Sequence, residues 1–315
     1  MNLKQFKYVL VLSGEGSFSK AADVLNISQP SLSQYIRKIE KKIGLKLFER
    51  TGSNVRLTDA GRVYIDAGKK ILDIQKQMEN RLLDLAEDKT GSIIVGISPH
   101  RSVHLMPRVV REFHRLYPGM KLVLDERSGH ELRDAAFRGE FDVCIIPLPV
   151  DTKTYEYHMM MKEEIVLAVP SGSEFDKLLK SCCVNLENRT FPAVDINLIN
   201  GHDFITLGEY MPMKVITDNL CKQYDLNLNY VVEVRSNEAL VSMVSSGTGS
   251  SLISSCLANF RSEEGMVEFY SFVQDIPFRD IAVIYRKEKY LSRPTRDLIK
   301  ILTGGFSDTK DDKVM

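Results

Sequence analysis

The apolar positions of this chain change spacing several times, and each change marks a different kind of structure. From Asn2 to Ser13, Leu3, Phe6, Val9, Leu10 and Leu12 recur mainly every three to four residues. That spacing predicts a helix, which Gly14 and Gly16 end. Ser17 is placed to cap a second helix carrying Ala21, Ala22, Val24 and Leu25, where the small alanine pair lets another helix approach closely. Asn26-Ile27 makes a turn. Ser28 caps a third helix with Pro30 in its first turn, where the missing N–H costs least. Leu32, Ile36, Ile39 and Ile43 form its buried stripe. Leu45, Leu47 and Phe48 are expected to anchor a β-hairpin that turns at Gly52-Ser53-Asn54, flanked by Arg50 and Arg56.

A longer repeat follows. Thr58 caps a helix expected from Asp59 to Asp88, about 45 Å long at the helical rise. Ala60, Tyr64, Ala67, Ile71, Ile74, Met78 and Leu85 alternate steps of four and three, except where Arg81 interrupts and Leu82 takes over. This is a heptad seam with a charged remainder. So long a helix has little of its own chain to bury against, so the seam is read as intermolecular and the protein as a homodimer at least.

From Gly91 the pattern becomes alternating strand and helix. Ser92–Ile97, Lys121–Asp125 and Phe141–Ile146 are strand runs, with helices between. The first of these helices is expected to begin near His104, with Pro107 in its first turn. Such βαβ units imply a mainly parallel sheet, with ligands at the carboxyl ends of its strands. The candidate binding wall is therefore Ser98, Pro99, His100 and Arg101, then Ser128, Gly129 and His130, with Thr206 after the Phe204-Ile205 run. Arg101 beside a helix N-terminus favours an anionic ligand such as a carboxylate. Gly247-Thr248-Gly249 follows a helix rather than a strand and is read as a helix cap, not a phosphate loop.

The polar face of the third helix adds chemistry. Gln29, Pro30, Ser31, Ser33 and Gln34 lie at its N-terminal half, Arg37, Lys38 and Lys41 beyond. Gln and Ser suit base edges in a major groove, while Arg37, Lys38, Arg50 and Arg56 suit phosphates. Charge supports double-stranded DNA as partner. Residues 1–62 hold 11 Lys and Arg against 5 Asp and Glu, a net of +6, while the rest of the chain, with 31 against 37, carries −6. The overall zero conceals a basic head.

No apolar run approaches the roughly 20 residues of a membrane span, so no membrane partner is expected. The YVLVL stretch is too short for a signal peptide. Five cysteines, at 144, 182, 183, 221 and 256, show no metal spacing or disulfide framework, which suits a reducing cytoplasm. No nucleophile elbow, Walker loop, Rossmann fingerprint or HExxH motif is present, so no enzyme, cofactor or metal is expected.

The residues Ala21-Ala22, Ser28-Gln29-Pro30-Ser31, Ile39-Glu40, Gly44, Leu47-Phe48-Glu49-Arg50 and Leu57-Thr58-Asp59-Ala60-Gly61 resemble the pattern of LysR-type transcriptional regulators. The resemblance covers nearly the whole chain; Ile39 stands where Leu is commoner. It implies an α/β chain with an N-terminal winged helix-turn-helix (1–58), a long dimerising linker helix (59–89) and a two-lobed effector domain like that of periplasmic binding proteins (90–302). Lobe one would take 91–163 and 269–302, lobe two 164–268, with crossings near Glu163–Ala168 and Met266–Tyr270 and a flexible tail at 303–315. The resemblance further implies a homotetramer, a small-molecule effector held near Ser98, Ser128 and Thr206, and contact with RNA polymerase. The alternative is a solute-binding protein, or a metal or redox sensor using its histidine-rich loops or Cys182-Cys183, on the same two-lobed fold.

Overall fold

Three helices build the described part of the head, and local chemistry starts and stops the third of them. In the computed structural model, which describes residues 3–51, 54–85, 90–209, 211–261 and 265–304, these are α1 (Leu3–Glu15), α2 (Phe18–Val24) and α3 (Gln29–Ile43). The Ser28 hydroxyl accepts from the Ser31 amide at 3.3 Å, Pro30 sits in the first turn, and Gly44 closes α3 in the left-handed conformation at φ 80°. Phe6, Val9, Leu12, Ala21, Leu32 and Ile36 form the core between the three helices.

The hairpin β1 (Phe48–Thr51) and β2 (Asn54–Leu57) pairs antiparallel. Glu40 fastens its base to α3. That buried carboxylate accepts from the amides of Leu47 at 2.9 Å and Phe48 at 3.3 Å. Core contact therefore begins at Leu47. Leu45, expected as an anchor, is 59% exposed. Gly52 and Ser53 of the expected turn lie outside the described residues.

The helix α4 (Asp59–Leu85) leaves the hairpin through Thr58, whose hydroxyl donates to the Lys46 carbonyl at 2.6 Å and accepts from Gly61 N at 3.0 Å. A Cβ at Gly61 would stand 2.1 Å from the Leu47 carbonyl oxygen, which explains the glycine. The first turns of α4 bury Tyr64 and Ile65 against the head. Residues 86–89, where the helix was expected to end, lie outside the described residues.

The chain divides into two units, residues 1–87 and 88–315. Among the described residues the second holds a five-stranded sheet, a four-stranded sheet and a two-stranded pair. Its first lobe comprises β3 (Gly91–Ile97), α5 (Pro99–Leu116), β4 (Met120–Glu126), α6 (Gly129–Phe137), β5 (Val143–Pro147) and β6 (Tyr155–Glu163), and the returning β13 (Arg279–Arg286) and α11 (Arg293–Gly304). The strand order is β4-β3-β5-β13-β6. Alternation along β5 sends Val143 and Ile145 toward α5 and α11, and Cys144 and Ile146 toward α6.

The second lobe carries β7 (Ile165–Pro170), α7 (Glu174–Cys182), β8 (Ala193–Val194), β9 (Asp203–Leu207), α8 (Pro212–Tyr224), β10 (Asn229–Val234), α9 (Asn237–Ser245), β11 (Ser251–Ser254), α10 (Ser255–Arg261) and β12 (Val267–Phe272). Its sheet runs β11-β7-β12-β8, with the β9–β10 pair joined by a bridge from Phe204 to Ser250.

Four expectations need correction. The sheets are mixed rather than mainly parallel: β7 pairs antiparallel with β11 and β12, and β13 antiparallel with β5 and β6, because these are the strands that carry the chain out of one lobe and back. The second crossing lies at 273–278, not Met266–Tyr270, because Val267–Phe272 pairs with β7 and β8. α5 begins at Pro99, capped at Ser98, so Pro107 falls inside it. Thr303 and Gly304 belong to α11, with the Thr303 hydroxyl donating to the Ile299 carbonyl at 2.9 Å. Residues 305–315 of the expected tail lie outside the described residues.

Candidate functional site

The N-terminal half of α3 presents Gln29, Pro30, Ser31 and Gln34 to solvent, followed by Arg37, Lys38 and Lys41 on the same side. Arg56 of the hairpin is exposed too. Arg50 lies on β1 opposite Val55, but its side chain is outside the described residues. Ser33 departs from the expected set. It is buried with Leu32 and Ile36, because position 33 turns toward the core side of the helix. The exposed surface is thus a polar strip of hydrogen-bonding side chains leading into a basic one, the arrangement that reads base edges and holds phosphates.

On α4, the apolar repeat splits. Tyr64 is buried in the head, while Ile71, Ile74, Met78 and Leu82 stand 37%, 66%, 54% and 57% exposed. These four share one side of the helix, and the described residues of the chain leave each of them exposed in good part.

In the second unit a cavity of about 680 Å³ opens between the lobes. Ser98, His100, Arg101, Ser128 and His130 line it from lobe one, just beyond the ends of β3 and β4. Lobe two contributes Leu207, Met211, Met213 and the first turn of α9. Thr206 is not in the wall. It lines other surface hollows and donates its hydroxyl to the Leu207 carbonyl at 3.2 Å, while Leu207, facing the other way on the strand, reaches the cavity.

The expected free charge of Arg101 is also corrected. Its guanidinium is buried and donates twice to Glu163 Oε1, at 3.1 Å from Nε and 2.8 Å from Nη2. Nη2 also donates to Glu163 Oε2 at 2.9 Å, and Nη1 donates to the Ser98 hydroxyl at 3.2 Å. Arg279, the first residue of β13, also donates to Glu163. Burial pushes the Glu163 carboxyl up, but Arg101 and Arg279 outweigh it and hold it below its ordinary value. His100 is pushed down to about 3, first by burial and then by Arg101, so the imidazole is neutral. Its Nδ1 lies 3.3 Å from the Asn237 amide nitrogen of lobe two.

Glu163, Asn237, Glu238 and Arg279 were not legible as site residues, since each meets its partners only through the fold. A doubled acid at a strand boundary, Glu163-Glu164, was the one available signal. Glu164 faces the other lobe: it takes Arg189 at 3.3 Å, while Arg189 also donates to the Gln274 carbonyl at 2.6 Å and so ties the two crossings together. The Cys182 and Cys183 thiols lie against carbonyls of their own helix, Leu178 at 3.3 Å and Lys180 at 3.6 Å. Among the described residues no cluster of His, Cys, Asp and Glu has the arrangement of a metal site, and no helix is long and apolar enough to cross a membrane.

Comparison with known proteins gives this geometry a context. Residues 3–62 match the bacterial regulatory helix-turn-helix protein pattern of the lysR family, and residues 86–307 match the LysR substrate binding domain. An uncharacterised HTH-type transcriptional regulator of Bacillus subtilis, YcgK, is 27% identical over 99% of this chain and 97% of its own. A probable RuBisCO transcriptional regulator of Thalassiosira pseudonana is 27% identical over 92% and 93%. Full-length OxyR from Pseudomonas aeruginosa superposes with a TM-score of 0.68 at 25% identity, covering 96% of this chain and 97% of that one. CbnR, a LysR family regulator solved also with its target DNA, shares the fold at 19% identity and a TM-score of 0.63 in that complex, covering 96% and 99%.

Proposed function

The chain belongs to the LysR family and is a DNA-binding transcriptional regulator with an effector-binding domain; on that premise we propose that it reads an inverted-repeat promoter site and changes transcription when a small anionic molecule enters the interlobe cavity. Gln29, Ser31 and Gln34 contact base edges. Arg37, Lys38, Arg50 and Arg56 contact phosphates, and Pro30 sets the entry of the helix. Ser98, His100, Ser128 and His130 contact the effector, with Arg101 polarising Ser98 rather than meeting the ligand's charge itself. The α4 seam pairs two heads into a homodimer, and the dimers associate into a homotetramer. Two-fold pairing places half-sites about one helical turn apart. The protein acts in the cytoplasm, contacts RNA polymerase, and turns over no substrate.

The observation that carries this reading is the polar strip at the N-terminal end of α3, capped by Ser28 and braced against the hairpin by Glu40. The effector acts through unequal affinity for two arrangements of the lobes; reversing a 1:99 population takes about 5.5 kcal/mol. A gel shift with the promoter region beside the protein's own gene, repeated at rising salt, is the test. Retardation that survives scrambled competitor and fades steeply with salt is expected. Equal retardation of scrambled duplex overturns the site-specific reading.

A further inference from the structure

Two residues that line the interlobe cavity each hold a buried polar atom with no hydrogen-bond partner: Arg279 its Nε donor and Glu238 its Oε1 acceptor. They come from opposite lobes and carry opposite charge. An unmet polar atom in a desolvated position is unfavourable, and each of these belongs to a charged group for which its own lobe supplies too few partners.

The charges around them sharpen the point. At the lobe-one end two guanidiniums, Arg101 and Arg279, converge on the single carboxylate of Glu163. One positive charge is left over. The first turn of α5 above it carries no acid, and the Ser98 hydroxyl, which already accepts from Arg101, keeps its own hydrogen to donate. At the lobe-two end Glu238 places a negative charge in the first turn of α9. Arg127 is already paired with Asp125 and Glu140, and Arg133 donates to the carbonyls of Pro147 and Pro149. Arg235, Glu126 and Glu131 are exposed to solvent, which screens them. Leu132, Ile146, Leu148, Met211, Met213 and Ile216 supply the apolar part of the lining.

We propose that the effector is a zwitterion, an α-amino acid with an apolar side chain, whose carboxylate meets the Ser98 hydroxyl and the Arg279 guanidinium and whose ammonium meets the Glu238 carboxylate. The inference rests on the effector reading above: it keeps the carboxylate and adds a cationic group, so the ligand carries no net charge. A plain carboxylate leaves Glu238 unmatched, and a plain amine leaves the lobe-one charge unmatched. Because the two charged groups go to different lobes, the ligand favours the closed arrangement over the open one, which is what an effector must do.

Isothermal titration of the full chain with three matched sets of probes tests this. The first set is L-leucine and L-phenylalanine; the second is their des-amino acids, 4-methylpentanoate and 3-phenylpropanoate; the third is the amines 3-methylbutylamine and 2-phenylethylamine. At least one amino acid is expected to bind, and loss of either charged group is expected to weaken binding by about tenfold or more. In Glu238→Gln, which keeps size and fold, the amino acid and its des-amino partner should bind alike. A des-amino acid that binds the unaltered protein as tightly as its amino acid overturns the proposal, as does failure of both amino acids to bind. A gel shift on the same preparation separates the two readings. DNA binding without amino-acid binding removes the zwitterion alone, whereas amino-acid binding without DNA binding removes the DNA-reading proposal alone.

Discussion

Asn237 donates its side-chain amide to His100 Nδ1 at 3.3 Å, so the first turn of α5 in one lobe is tied to the first turn of α9 in the other. The bond requires a neutral imidazole with its proton on Nε2. Burial, then Arg101, and more weakly Arg279 and His104, against the pull of Glu163, keep it in that state.

The tie predicts an acid-sensitive cleft. The folded pKa of His100 lies below its ordinary 6.5, near 3, so the unfolded chain binds the proton first as pH falls. The stability of the effector unit should be fully present above pH 6.5 and decline from there toward pH 3. His100→Gln should flatten that part of the profile in thermal melts. Parallel profiles for the two proteins would remove His100 as the cause.

Glu163 compensates the buried guanidinium of Arg101 and the partly buried one of Arg279 where the chain passes between the lobes. Glu163→Ala strands both and should cost about 3–5 kcal/mol in denaturant unfolding of the effector unit. Glu163→Gln, which keeps an acceptor, should cost less. Because the carboxyl is held below its ordinary value, its contribution is present above that value and lost as pH falls through the folded one.

Gln29 and Ser33 are expected to behave differently, although both lie on the opening turns of α3. Gln29→Ala should lose about 1–3 kcal/mol of discrimination between cognate and scrambled duplex. Ser33→Ala should leave that discrimination unchanged, since the side chain is buried. Competition gel shifts read both, and a specificity change in Ser33→Ala would return it to the base-reading set.

The α4 seam is tested by charge. Ile74→Lys and Met78→Lys place an ammonium where the side chain is 66% and 54% exposed within its own unit. Helix content by circular dichroism should therefore hold while sedimentation shows smaller assemblies. Unchanged assembly with both substitutions would move the dimer contact elsewhere.

What could be read along the chain was whatever is decided within a few residues. The start of α3 at Ser28-Gln29-Pro30, its end at Gly44, the Thr58 cap of α4 and the alternation in β5 depend on sequence neighbours and on one periodicity each. Their physics is local, so a linear reading reaches it. The floor of the cavity was decided differently. Arg101 meets Glu163 across 62 residues, Glu163 meets Arg279 across 116, and His100 meets Asn237 across 137. The inward turn of Ser33 and the turn of Thr206 away from the interlobe cavity follow from which face of a helix or strand the rest of the fold happens to cover. Chain order names the charged groups of this protein; only tertiary packing settles which charges cancel and which remain for a ligand, because electrostatic pairing in a buried site depends on distance through space rather than along the backbone.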